Sequence, residues 1–435
     1  MNPNKGSQRV FWKSLSFLVL LMVPVLALAD QKKTQQQPQA SAPALGEDFA
    51  VEAKLLSRVV ACEGRSPLPS SLKGQAVDKH CEWMRRAMET YRRLYLRRAE
   101  PFFAKLLPAG LPDKVVYPFG GGDLVSALST YPGAREITTV SLELVGDPRR
   151  IHNLDSRGLE GSLAAMRHQM VGLLYQNDSA SELLKGTQEG SLPGQLCFFL
   201  VALAVHGYEP VSLRYFGLET DGSLHYYSAV EIRELEGKAA SPLKKGWTSP
   251  DFPECFANSE LTFRSREPGA TLRTHRHIAA NLDDFHLQRN RRLMAHLEGK
   301  GHVTAMTKAA SYCLWNPGFT RIRGYLLAHM NYMVSDSTGI PPEVASKAGF
   351  VQESYGGFQG SFLDASQQYN DEFRCLWASQ PPRKLAFRYG YLDSVKHYHL
   401  VVTRRPRFDA FPRGIAQGKI AGGQKTRQSR AAIQD

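Results

Sequence analysis

The sequence predicts an α/β fold: a Rossmann-like, mostly parallel sheet flanked by helices, with an antiparallel hairpin addition and an N-terminal helical segment. Three observations predict it. Through the middle of the chain, apolar runs of strand length alternate with helical periodicities, as in strands joined by crossover helices. Lys114 to Glu143 reads strand, glycine turn, helix, strand at the length of one βαβ unit. The turn Glu219-Thr220-Asp221-Gly222 separates Val211–Gly217 from Ser223–Ile232, which is a hairpin signal.

The elements follow in order. Residues 1–29 read as a signal peptide. Lys5, Arg9 and Lys13 make a basic start, Leu15 to Leu26 an apolar run broken by Pro24, and Ala27-Leu28-Ala29 a cleavage site before Asp30. The run is short for a bilayer span, so the chain is expected to be exported, periplasmic or extracellular. Residues 30–47, rich in Gln, Pro and Ala, read as a linker. Residues 48–110 read as a helical segment. Asp48 to Val60 makes one helix and His80 to Leu107 a longer one, with Trp83, Met84, Met88, Tyr91, Leu94 and Tyr95 near period 3.6 and an arginine stripe opposite. All six cysteines lie after the signal, where an oxidising compartment favours disulfides. Cys62 and Cys81 flank one Pro/Ser/Gly-rich loop and are expected to pair. Cys197, Cys313 and Cys375 sit among apolar neighbours and fit buried thiols equally well.

Residues 111–403 read as the α/β domain. Val115 to Tyr117 form a strand that runs into Pro118 and Gly120, Gly121 and Gly122. Asp123 caps a helix through Leu128, Tyr131-Pro132-Gly133 stops it, and Ile137 to Leu142 form a strand ending at Glu143. Helices are expected over Leu159–Gln176, Gln195–His206, Asp283–His296 (opened by Asn281), Phe319–Met333 and Phe362–Trp377 (opened by Asp364-Ala365-Ser366). Strands are expected over Leu261–Arg266, Thr271–Ile278, Val303–Ala309, Ala386–Tyr391 and His399–Thr403. Residues 404–435, basic and poor in apolar groups, read as a disordered tail.

Several of these stretches also carry a resemblance. YPFGGGDLVSAL, ITTVSLE, VTAMTKAASYCLW, IRGYLLAHMNYMVSDSTGIPP, RKLAFRYGYL and HYHLVVTRR fall in sequence from Lys114 to Arg404. In this order they resemble an exported bacterial family with a Y-P-F-x-G-x-D signature. The resemblance implies export and a single folded unit, and it brings no reaction with it. This chain departs from that pattern at Gly122, where a proline is common, and in its arginine-rich first helices and basic tail.

The charge narrows the partners. Of the formal +13, the signal holds three positive charges and no acid, and Arg404 onward contributes +6, leaving +4 for the body. That balance gives no basis for a nucleic-acid groove. The tail is expected to make weak contact at most with anionic envelope components.

The candidate site lies at the glycine turn. Glycines admit a ligand close to the backbone, a helix N-terminus carries partial positive charge, and an acid at a strand tip accepts from ribose hydroxyls. Gly120, Gly121, Gly122, Asp123 and Glu143 are therefore the ligand-binding candidates for an unidentified small molecule. The turn lacks G-x-G-x-x-G and is nearer the looser turn of methyltransferase-type sheets, with Pro118 and Phe119 where those have an acid and a small residue. The competing reading is a tight strand-to-helix turn and an ordinary strand-end acid. Lys308 and Ser311 join the site if the strand from Val303 ends beside it. Asp336, in Ser335 to Pro342, is the catalytic candidate as base or acceptor; its alternative is an Asx-type turn. His275/His277 and His397/His399 form H-x-H pairs without a third ligand, so they read as surface strand histidines and no metal is expected. H-E-x-x-H, G-x-S-x-G and S-x-x-K patterns are missing from the chain. The expectation is an exported protein with a small-ligand site. A non-enzymatic envelope scaffold and a hydrolase with an unrecognised site are the alternatives.

Overall fold

The computed structural model describes residues 46–64, 67–176, 192–238, 255–360 and 367–407. The signal peptide, all but the end of the linker, the Asp364-Ala365-Ser366 helix start and the tail beyond Arg407 lie outside the described residues.

Ten strands form one mixed sheet in the order β4-β3-β5-β6-β2-β1-β7-β8-β10-β9. They are β1 Lys114–Pro118, β2 Glu136–Ser141, β3 Tyr208–Leu218, β4 Leu224–Tyr226, β5 Ser259–Ser265, β6 Arg273–Ala279, β7 Val303–Met306, β8 Met330–Ser335, β9 Val351–Gly356 and β10 His399–Arg404. The centre, β6-β2-β1-β7-β8, is parallel throughout. The flanks are antiparallel: β4-β3-β5 joins β6 on one side, and β10 and β9 join β8 on the other. Antiparallel pairings thus outnumber parallel ones, five to four, which corrects the expectation of a mostly parallel sheet. The extra pairings come from β9 and β10 at one edge and from β5, which folds back along β6 through a short connection.

Alternation along each strand sends residues to two helical layers. On one face, Val115, Tyr117, Leu213, Phe263 and Val334 pack under α1 Ala50–Val60, α2 Gln75–Tyr91, α3 Arg97–Leu106, α4 Leu124–Thr130, α5 Ser156–Met170 and α6 Gly194–Val205. On the other, Val116, Phe216, Ile278 and Met333 pack under α8 Asp284–Arg289, α9 Arg291–Glu298, α10 Thr320–His329 and α11 Pro342–Lys347. Between them in chain order comes α7 Ala229–Lys238, and α12 Gln367–Ala378 covers a third cluster with Phe358 and Val401. The predicted long helix after His80 is continuous, with a π-turn at Arg92–Leu96 joining α2 to α3. Cys62 and Cys81 form a disulfide that ties α1 to α2. The other four cysteines are free.

Several predicted boundaries move for identifiable reasons. The helix read over Phe319–Met333 ends at His329, because Met330 to Ser335 is buried at every residue and enters the sheet as β8. A run buried on both sides has no helical or strand period to read. The helix over Asp283–His296 is two helices. Asp283 caps the first through His286 N, and Asn290 breaks the chain and caps the second through Leu293 N. The return arm of the hairpin pairs only over Leu224–Tyr226 before α7 begins. Ala386–Tyr391 is not a strand. Among the described residues, no helix is long and apolar enough to cross a membrane.

Candidate functional site

The strand order reverses between β1 and β7. From β1 the chain adds β2 on one side, and β7 then β8 on the other. Crevices for ligands in such sheets open beyond the carboxyl ends of the strands at this point. The glycine turn, Lys308 and Asp336 meet there, and Glu143 lies one strand over.

Gly120 to Gly122 lie between β1 and α4, and Asp123 caps α4, its carboxylate accepting from Ser126 N at 3.3 Å. The glycines are needed for close packing. A Cβ on Gly120 would lie 2.8 Å from the Tyr117 ring, and one on Gly122 would lie 2.5 Å from Gln195 Oε1. Asp123 is fully buried. It also accepts from the Tyr117 hydroxyl at 3.0 Å and from Lys308 Nζ at 3.0 Å, while that ammonium donates to Ser126 Oγ at 2.8 Å. Asp123 and Lys308 therefore brace the turn from beneath and do not face solvent. Burial, with the Asp123 charge beside it, holds the Tyr117 phenol far above its usual range.

Lys308 starts the loop after β7. Ala309, Ser311 and Tyr312 adopt φ of 51°, 49° and 59°, and Phe119, at the end of β1, adopts 61°. These are left-handed conformations that L side chains rarely take, and such strain persists only where the surroundings impose it. Asp336 does much of the imposing. Its Oδ2 accepts from Ala309 N and Tyr391 N, each at 3.0 Å, and its Oδ1 accepts from Thr338 N at 2.9 Å and from the Thr338 hydroxyl. Thr338 Oγ1 accepts in turn from Ala310 N at 2.9 Å. Asp336 is fully buried, with each carboxylate oxygen taken by two donors. This is an Asx-type turn extended into a clamp on the strained loop, which leaves the carboxylate no free lone pair for proton abstraction. Ser311 is exposed at the tip of the loop.

Glu143 lies one strand over, beyond β2. It is buried at 5% exposure, and its Oε2 has no hydrogen-bond partner. Burial pushes its carboxyl above the usual range, against hydrogen bonding from Ser141. Gln195, which the sequence did not single out, is fully buried with neither side-chain amide atom bonded. Its backbone N–H donates to Leu144 O at 3.3 Å, so the start of α6 brings it against both the Glu143 loop and Gly122. Buried polar atoms of this kind are rare in folded proteins and call for a partner.

The H-x-H pair on β6 is buried, which corrects the surface assignment. Alternation puts His275 and His277 on one face, as expected, but that face lies under Phe199 of α6. Thr139 Oγ1 lies 2.9 Å from both His275 Nε2 and His277 Nδ1, and His277 Nε2 lies 2.8 Å from Glu143 O. Burial lowers His277 to about 4 and His275 further, so both rings are neutral near pH 7. A carbonyl only accepts, which places the His277 proton on Nε2. Thr139 then donates to Nδ1 and accepts from His275 Nε2. The chain of donors runs one way and ends on the backbone of Glu143. His399 of the second pair is also buried, bonded to Ser337 Oγ at 3.0 Å, while His397 precedes the strand. Among the described residues, no group of three or more His, Cys, Asp or Glu is arranged to hold a metal.

Comparison with protein-family models, curated proteins and solved structures finds no match.

Proposed function

We propose that this is an exported protein with a Rossmann-like core that binds a small polar ligand beyond the carboxyl ends of β1, β2 and β7. The observation that carries the reading is the strained backbone at the strand-order reversal. Four non-glycine residues, Phe119, Ala309, Ser311 and Tyr312, are left-handed there, and a buried clamp bonds the backbone of Ala309 and Ala310. Backbone strain of this kind costs roughly 1–3 kcal/mol per residue and clusters at ligand-facing loops. Glu143 supports the reading as the flanking acid that accepts from ligand hydroxyls. The Cys62–Cys81 disulfide supports export, since such bonds persist in oxidising compartments. The resemblance to the exported Y-P-F-x-G-x-D family points the same way.

The test is a thermal-shift panel of adenosylmethionine, ATP, NAD and sugars on dialysed protein, with native mass spectrometry for co-purified molecules. A true ligand at 100 times its Kd adds about 2.7 kcal/mol of stability. Glu143→Gln is expected to weaken it at least tenfold, or about 1.4 kcal/mol. A panel without a shift, together with protein of unmodified mass, would sink the ligand reading. For export, the first residue of secreted material is expected to be Asp30, and an intact Met1 would contradict it.

A further inference from the structure

A polar cavity lies on the hairpin side of the sheet, away from the reversal. Its volume is about 320 Å³, at the small end for ligand sites. The carboxyl ends of β3 and β6 form its floor, and Glu219, His225, Tyr227, Asn290 and Arg292 line it.

The polar groups around it are fixed by specific bonds. Glu231 accepts from Ser228 N at 2.8 Å and Ser228 Oγ at 2.7 Å, and it lies 2.6 Å from His225 Nε2. These bonds, those of Ser228 foremost, hold the Glu231 carboxyl down at about 2. It is therefore ionised and only accepts, so the His225 proton sits on Nε2. His225 Nδ1 faces Glu219, whose Oε1 is 3.8 Å away. Gly217 lets the Tyr227 hydroxyl close in, since a Cβ there would lie 2.5 Å from that oxygen. Arg292 gives one N–H to Leu218 O at 3.3 Å and keeps the rest of its fork. Asn290 uses its oxygen to cap Leu293 N at 3.2 Å, which leaves its NH2 group as donor.

Donors thus come from Arg292 and Asn290 and an acceptor from Glu219, with Tyr227 and His225 Nδ1 able to act as either. A bare anion meets the Glu219 charge; a neutral sugar leaves the guanidinium unused. We propose that this cavity binds a small hydroxyl-bearing anion, a sugar acid or a sugar phosphate. Its carboxylate or phosphate sits on Arg292 and Asn290, and its hydroxyls bond to His225 Nδ1 and Glu219.

The experiment is calorimetric titration of the full exported chain with gluconate and with glucose 6-phosphate. Glucose and inorganic phosphate, each titrated alone, are the controls. At least one of the two hydroxyl-bearing anions is expected to bind, and which one does separates the carboxylate from the phosphate source. Each control is expected to bind at least about tenfold more weakly, and Arg292→Gln and His225→Ala are each expected to cost about tenfold or more in Kd. Arg292 is exposed, so its variant is expected to keep the parent melting temperature and report on binding alone. The proposal is overturned if neither anion binds at about 10 mM, if a control binds as tightly, or if Arg292→Gln leaves Kd unchanged.

Discussion

Lys308 Nζ and Asp123 Oδ2 lie 3.0 Å apart with no solvent reaching either side chain. The pair joins the loop after β7 to the cap of α4 across the strand-order reversal. Taking two charges out of water is costly, and removing one alone leaves the other buried and unmatched. Lys308→Met is expected to destabilise by about 3–5 kcal/mol, and Asp123→Asn by a similar amount. The double variant is expected to cost clearly less than the two single losses combined. Urea unfolding of the four proteins reads this directly. Additivity within about 0.5 kcal/mol would mean that the two residues act independently.

The βαβ unit from Lys114 to Glu143 was legible because each local signal agreed with the fold. β-branched residues precede the glycines, an Asx residue sits at the cap, and a Pro-Gly pair stops the helix. Glu143 was legible as a strand-end acid. What the sequence concealed is set by distance in the chain. Gln195 meets Gly122 only because α6 packs across the turn. The donor chain from His275 to Glu143 needs β2 and β6 side by side, which no local pattern encodes. β8 was hidden because burial on both faces erases periodicity. β9 escaped because only Ser354 of its six residues is buried, which leaves no apolar alternation to read, and α11 because it is short. Asp336 reads from the sequence as a catalytic candidate with an Asx-type turn as the alternative, and its reach to Ala309 and Tyr391 depends on loops that are distant in sequence.

The Cys62–Cys81 bond closes a loop of 19 residues. In the chain-entropy view it stabilises by about 3 kcal/mol. Reduction, or Cys62→Ser with Cys81→Ser, is expected to lower the unfolding free energy by about that amount. Unfolded oxidised protein is expected to titrate four thiols, from Cys197, Cys255, Cys313 and Cys375. Six thiols before reduction would show that the bond does not form in the secreted protein.

Acid is expected to weaken the fold in two overlapping windows. Burial lowers His80, His206, His277 and His296 from 6.5 to about 4. Below pH 6.5 the unfolded chain takes up protons that the native rings refuse until near pH 4. Stability is therefore full above 6.5 and falls between 6.5 and 4, by up to about 1.4 kcal/mol per pH unit for each histidine. Glu136 adds a lower window. Burial alone would raise its carboxyl, but Lys300 and Arg276 beside it bring it from 4.5 down to about 2. Its contribution is present above 4.5 and lost as pH falls toward 2. Unfolding midpoints measured from pH 7 to 3 are expected to show both declines, with Glu136→Gln flattening only the lower one. A level profile from pH 7 to 4 would mean that the native rings take up protons as readily as the unfolded chain does.

The clamp on the strained loop depends on a glycine. Gly390 has φ of 69°, and a Cβ there would lie 1.8 Å from Asp336 Oδ2. Gly390→Ala is therefore expected to push Asp336 off Ala309 N and Tyr391 N, at a cost of about 3 kcal/mol or more from left-handed strain and lost buried hydrogen bonds. Asp336→Asn acts on the same bonds without steric change. An amide cannot accept from four donors, so the two donors on one side face an NH2 group instead. Both variants are expected to unfold at lower urea concentration. Hydrogen exchange of Ala309 and Ala310 is expected to rise more than exchange in β3 or β5. Even protection loss across the sheet would show that Asp336 supports the whole fold and not this loop in particular.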